Sequence, residues 1–206
     1  MYFDRRCKIT FISHGARIFS EEGRFSDKEN HPQINENGLE EIEKICEYLK
    51  KRHVKNDRIY TSAASRCIQS AKQISKIYKK NFEIIDLKPR DCGGFSGLTF
   101  EQLETKFPDM LKQFIFNPEI PTPEDAESVS DFIKRVSEKI SEIVKDNADN
   151  RVIIVTYPDV IKAAVCDALN IPHESFNRIY IKTGSATQIS YFKNWNSLIY
   201  SDYTPL

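Results

Sequence analysis

A chain of 206 residues with 30 basic and 30 acidic side chains carries no net charge, and the two signs are interspersed along it. Nucleic-acid binding, which leaves a basic excess or stripe, is therefore not expected. No apolar run approaches a bilayer span, and the opening MYFDRRCKIT lacks the apolar region of a secretory signal.

Five cysteines (Cys7, Cys46, Cys67, Cys92, Cys166) form no CxxC pair. They read as reduced thiols of a cytoplasmic protein, several of them core fillers, with no close ligand pairs for zinc.

Strand-like and helix-like segments alternate, predicting one α/β domain around a largely parallel sheet, a three-layer α/β/α sandwich. Lys8 to Ser13 reads as the first strand. NENGLEEIEKICEYLKKR follows as a helix with Leu39, Ile42, Ile45, Cys46 and Leu49 on one face, Asn37 and Glu40 as its cap pair, and Lys50, Lys51 and Arg52 at its C-terminal end. DRIYTS is a second strand, SAASRCIQSAKQISKIYKK a second helix, and FEIIDL a third strand.

KPRDCGGFSG then reads as an irregular loop, and Thr99 with Gln102 has the spacing of a capping box. Residues 107–127 hold four prolines and read as part of an irregular insertion around 88–126. Val129, Phe132, Ile133, Val136, Ile140, Ile143 and Val144 form the apolar stripe of a core helix. RVIIVTY is the fourth strand and runs into a helix at Pro158; RIYIKTG and TQISYFKN close the chain as two hairpin-like strands.

In parallel α/β sheets ligands bind where strands end and helices begin. Four such ends present Ser13-His14-Gly15, Thr61 to Arg66, Leu87 to Gly94, and Thr156-Tyr157-Pro158. A neutral imidazole can attack phosphorus, and an arginine fork can hold phosphoryl oxygens. His14 and Arg66 are thus a partial phosphoryl-transfer pair. The competing reading of a strand-end histidine is a packed one at a turn.

The order of motifs resembles the histidine phosphatase superfamily, with its phosphoglycerate mutase-like fold. SHGAR stands where that family has Arg-His-Gly, GRF at Gly23 to Phe25 where it has Gly-Arg, and SAASRCIQSA where it has Ser-x-x-x-Arg. LKPRDCGGFSGLTFEQL follows the rhythm of its Leu-x-Glu loop and glycine turn. AESVSDFIKRV resembles its Gly-Glu-Ser helix start, VIIVTYPDVIKAAVCDAL its Ser-His-Gly-Gly segment, and SATQISYF and SDYTPL its closing strand and tail.

The resemblance implies His14 as nucleophile and Arg66 as phosphate clamp, and it implies no metal or other cofactor. It also places Ser13 on the family's first arginine, Pro89 on its proton-donating glutamate, Tyr157 on its second histidine, and Ser20 on a common asparagine. A charge-stabilising donor contributes ~10²–10³ in rate and a general acid ~10²–10⁴. Their joint loss points to a catalytically impaired member, a pseudophosphatase with a binding or regulatory role. The alternative is an active phosphomonoester hydrolase using His14, Arg66 and Asp91 as acid. Ser13, Arg17, Ser20, Arg24, Ser62 and Tyr157 are the candidate binding residues, and Arg17 or Arg90 a replacement guanidinium. Asp159, in the first turn of a helix, would repel a phosphate dianion. The ligand expected is a phosphorylated small molecule or protein, and the edge of the terminal strands is open to a second copy.

Overall fold

The computed structural model describes residues 5–17, 24–25 and 33–205. A six-stranded sheet forms the middle layer. Its strands are β1 (Arg5–Ser13), β2 (Arg58–Ser62), β3 (Phe82–Ile85), β4 (Asn150–Thr156), β5 (Ala186–Phe192) and β6 (Asn196–Tyr203), in the spatial order β3-β2-β4-β1-β5-β6. The pairs β1–β4, β2–β4 and β2–β3 are parallel, and β5 runs antiparallel to both β1 and β6. The largely parallel α/β sandwich expected from the sequence is therefore the architecture found, with β5 the reversed strand.

The helices are α1 (Glu36–Lys51), α2 (Ser65–Tyr78), α3 (Phe100–Lys106), α4 (Pro108–Phe116), α5 (Val129–Asp146) and α6 (Pro158–Leu169). α1 packs with α2, and α5 with α6, giving the two outer layers. The seven apolar positions of α5 are all buried, as their spacing predicts, and Ser128 caps the helix by accepting from the Asp131 N–H. Residues that alternate faces along β1, such as Ile9, Phe11 and Ile12, are fully buried because helices cover both sides of the sheet. Thr99 and Gln102 form the reciprocal capping box of α3.

Four sequence expectations need correction. The cap of α1 is Asn35, whose side chain accepts from the Gly38 N–H at 2.8 Å, two residues ahead of the expected Asn37. With the helix set by that cap, Ile42, Ile45 and Leu49 are buried but Leu39 is exposed. The proline-rich segment carries α4. Pro108 sits in its first turn, where a missing N–H breaks no helical bond, and Leu111 packs with Phe95 and Leu103 in a small second core. RIYIKTG is not a strand. A 3₁₀ turn, His173–Arg178, leads into it, and the hairpin is made by β5 with β6 instead. Its alternation of exposed Tyr180 and buried Ile181 reflects extended backbone, which shows the same period of two without a ladder.

Register decides which residues meet at the C-terminal edge of the sheet. Ser13 of β1 lies beside Thr156 of β4, so the next residues, His14 and Tyr157, emerge side by side. The end of β2 joins them: the Ser62 and Thr156 hydroxyls are 2.9 Å apart, and Ser62 Oγ donates to the Leu87 carbonyl at 2.7 Å. All three strand ends are thereby held at one mouth.

Candidate active site

His14 is fixed through its backbone. Its N–H donates to the Thr156 carbonyl, and its own carbonyl accepts from the Gly184 N–H, each at 3.0 Å. The following loop is clamped by α1 and α2. The Ala16 N–H donates to Glu41 Oε2 at 2.8 Å, and the Gly15 N–H to Ser70 Oγ at 3.2 Å. Glycine is required where the loop crosses the helix start: a Cβ on Gly15 would lie 2.3 Å from the Gly38 carbonyl oxygen, and one on Gly38 2.2 Å from that of Ala16.

The imidazole itself is buried. Nδ1 lies 2.8 Å from the Gly15 carbonyl, and Arg66 Nε donates to Nε2 at 3.2 Å. These partners define one tautomer, with the proton on Nδ1 and the lone pair on Nε2. Burial, then the charges of Arg66 and Arg17, lower the His14 pKa to about 3 against the pull of the Gly15 hydrogen bond. The ring is neutral at physiological pH, which is the nucleophilic form.

Tyr157 occupies the space beside this pair. Its ring stands edge-on to His14 with centroids 5.9 Å apart, and the Arg66 guanidinium lies over its face at 4.9 Å. Burial pushes the phenol well above its ordinary range, so it stays protonated and uncharged.

In front of His14 opens a cavity of about 840 Å³. Among the described residues its wall has six cationic side chains, Arg17, Arg24, Lys44, Arg90, Lys162 and Lys182, against two acidic ones, Glu41 and Asp159. Neither acid faces the cavity uncommitted. Glu41 holds the Ala16 N–H and the Thr183 hydroxyl, while Asp159 accepts from the Arg90 N–H at 2.7 Å and the Val160 N–H at 2.9 Å. What remains is an anion-attracting mouth.

Comparison with known proteins identifies the scaffold. The model of the histidine phosphatase superfamily (branch 1) matches residues 9–200. The chain belongs to that superfamily. Among curated relatives, phosphoserine phosphatase 1 of Hydrogenobacter thermophilus is 23% identical over 172 residues, covering 82% of this chain and 79% of its own length. A metal-independent phosphoserine phosphatase of Arabidopsis thaliana is 27% identical over 159 residues, covering 76% of this chain and 66% of its own. Of the solved structures, a phosphoserine phosphatase of Entamoeba histolytica in complex with 3-phosphoglyceric acid superposes with a TM-score of 0.84 at 20% identity, covering 96% of this chain and 98% of that one. The alpha-ribazole phosphatase of Shigella flexneri gives 0.82 at 17% identity, covering 95% and 96%.

Within this histidine phosphatase frame the residues singled out from the sequence fall into distinct places. His14 and Arg66 come together, and Arg17 and Arg24 line the cavity with His14. Ser13 and Ser62 line neither this cavity nor its neighbour. Ser13 Oγ is buried without a hydrogen-bond partner, and Ser62 joins strand ends. Asp91 is turned elsewhere: its Oδ1 accepts from the Gly93 N–H at 2.9 Å, and it lines the neighbouring cavity instead. Ser20 and Gly23 lie outside the described residues. Asp159, expected to repel a phosphate, holds the Arg90 backbone in place.

Sequence reading missed Lys44, Lys162, Lys182 and Glu41. Lys162 lies four residues past Pro158 on α6, and helical spacing from the strand end was the available signal. Lys182 had none, because its segment reads as a strand. Among the described residues, no cluster of His, Cys, Asp or Glu could hold a metal ion, and no helix is long and apolar enough to cross a membrane.

Proposed function

We propose that this chain is a ligand-binding histidine phosphatase homologue whose phosphoryl transfer is impaired, and that its cationic cavity takes a phosphorylated small molecule. The reading rests on one observation: Tyr157, the residue that the sequence resemblance sets on the family's second histidine, packs against both His14 and Arg66. A neutral phenol there stabilises a pentacoordinate phosphoryl group less than a cationic donor, by at most the ~10²–10³ in rate that outright loss of a donor costs. Pro89, on the glutamate position, supplies no proton to the leaving group, and the Asp91 carboxylate is bound to a loop N–H. An absent general acid removes a further ~10²–10⁴. The phosphoserine phosphatases and alpha-ribazole phosphatase among the relatives suggest small phosphomonoesters as ligands. Five cysteines outside any disulfide suit a cytoplasmic setting.

A second reading, a rewired hydrolase, draws on the neutral His14 with its lone pair on Nε2. Acid-quench detection of phosphohistidine separates the two. The chain is incubated with a panel of phosphorylated small molecules, with His14→Ala as control. Impairment predicts saturable binding with no label and no turnover. A His14-dependent phosphoenzyme turning over rapidly would sink the impaired reading and establish the hydrolase.

A further inference from the structure

The cavity of His14 is far larger than a phosphoryl group. Its volume of about 840 Å³ falls within the range of roughly 300–1,000 Å³ that encloses whole small-molecule ligands, so most of the room is left for the body of the ligand. Five aromatic side chains, Phe25, Phe114, Tyr157, Phe176 and Tyr180, share the wall with the cations. Tyr157 also lines the neighbouring cavity of about 990 Å³ and so separates the two.

Three of these rings come from segments docked on one another. Asn177 Nδ2 donates to the Phe114 and Ile115 carbonyls, each at 3.0 Å, which ties the 3₁₀ turn His173–Arg178 to the end of α4. Tyr180 follows that turn by two residues, and Phe25 stands edge-on to Phe114 with centroids 5.5 Å apart. Cations sit on ring faces around the same cavity: the Arg90 guanidinium lies over Phe114 at 4.8 Å, and the Lys162 ammonium over Phe176 at 5.6 Å. Tyr180 is the exception. It is 71% exposed, and among the described residues its ring has neither a ring nor a cation partner. A ligand with a saturated body would leave that ring facing water. A planar aromatic body would contact it and would also offer the cations of the wall a ring face, which a saturated body of the same size cannot.

We propose that the cavity takes a phosphomonoester whose alcohol part carries a planar aromatic ring, with Tyr180 as the residue that receives the ring. The proposal rests on the reading of this cavity as a site for phosphorylated small molecules and narrows it to one ligand class. Selection of the ring depends on the wall and not on whether His14 reacts.

The test is calorimetric titration of the full chain with phosphonates, whose C–P bond survives whether or not the site turns over. Benzyl-, phenethyl- and naphthylmethylphosphonate are each compared with the counterpart of saturated ring, which has the same charge and nearly the same size. Inorganic phosphate reports on the anion alone. At least one aromatic member should bind roughly tenfold tighter than its saturated counterpart, the combined scale of one aromatic pair and one cation–ring contact. Tyr180→Ala should cut that preference to about threefold or less and leave the affinity for inorganic phosphate unchanged, whereas Tyr180→Phe should keep it. The exposure of Tyr180 means that neither change opens a hole in the core. Equal affinities within every pair, or a preference undiminished in Tyr180→Ala, would overturn the ring assignment while the phosphate-binding reading stands. Absence of binding by inorganic phosphate and by every phosphonate would overturn both.

Discussion

His14 is the residue on which the sequence was most informative and least complete. The end of an apolar strand followed by glycine marked it, and the spacing to Arg66 marked its partner. What the sequence could not display is that the two share a hydrogen bond, because that depends on side-chain conformations 52 residues apart. The same bond and the burial around it set a pH dependence. The folded pKa of about 3 lies below the ordinary value of 6.5, so between these limits the unfolded chain binds more protons. The contribution of His14 to stability is therefore complete above about pH 6.5 and is lost as the pH falls towards 3, at about 1.4 kcal/mol per pH unit. Asp159, whose carboxyl is raised by burial, works in the opposite sense and offsets part of this loss. Denaturant unfolding between pH 7 and 4 should show a shallower acid slope in His14→Gln than in the native chain. An identical slope would contradict the buried neutral imidazole.

At the scale of elements, the regular helices were readable because burial imposes a period, as the stripe of α5 illustrates. Loop 88–91 was not, since its shape is imposed by a helix elsewhere in the chain. Arg135 of α5 binds both oxygens of Glu127 and donates to the Lys88 and Pro89 carbonyls, at 3.0 and 2.8 Å. This fork holds the loop that presents Arg90. Arg135→Ala should lower stability by about 2 kcal/mol, the scale of hydrogen bonds to charged groups, and speed amide exchange in the loop. Arg135→Lys should recover only part, because an ammonium cannot reproduce the planar fork. Urea unfolding and hydrogen exchange measure both effects. Lys88 and Pro89 alone gave no hint of this anchor.

For the molecule as a whole, the layers and the largely parallel sheet followed from the alternation of elements, whereas the strand order and the two cavities did not. The cavities are made by Tyr157 standing between side chains from several strand ends, and no local pattern encodes that partition. The superfamily fold is retained, so the proposed impairment can be tested by putting two of the three substituted groups back. Tyr157→His together with Pro89→Glu should raise phosphomonoester hydrolysis by at least ~10²-fold over the native chain, with a phosphoenzyme on His14. Either change alone should do far less, since groups acting as a unit are not additive. Steady-state rates and acid-quench labelling of the three variants decide it. An inert double variant would leave the arginine missing at Ser13, or the surrounding structure, as the remaining difference.

The contact between Gly15 and Gly38 has a mechanical meaning. With backbone pressed on backbone at both glycines, the loop after β1 and the first turn of α1 have no room to slide past each other. Glu41, one turn further along the same helix, also grips Ala16 and Thr183. Gly184 is seated against Glu41 too, where a Cβ would come within 2.3 Å of the glutamate's own Cβ. The helix start thus works as a keystone between two walls of the mouth. The Thr183–Gly184 wall is thus tied to His14 twice, through α1 and through the Gly184 N–H on the His14 carbonyl.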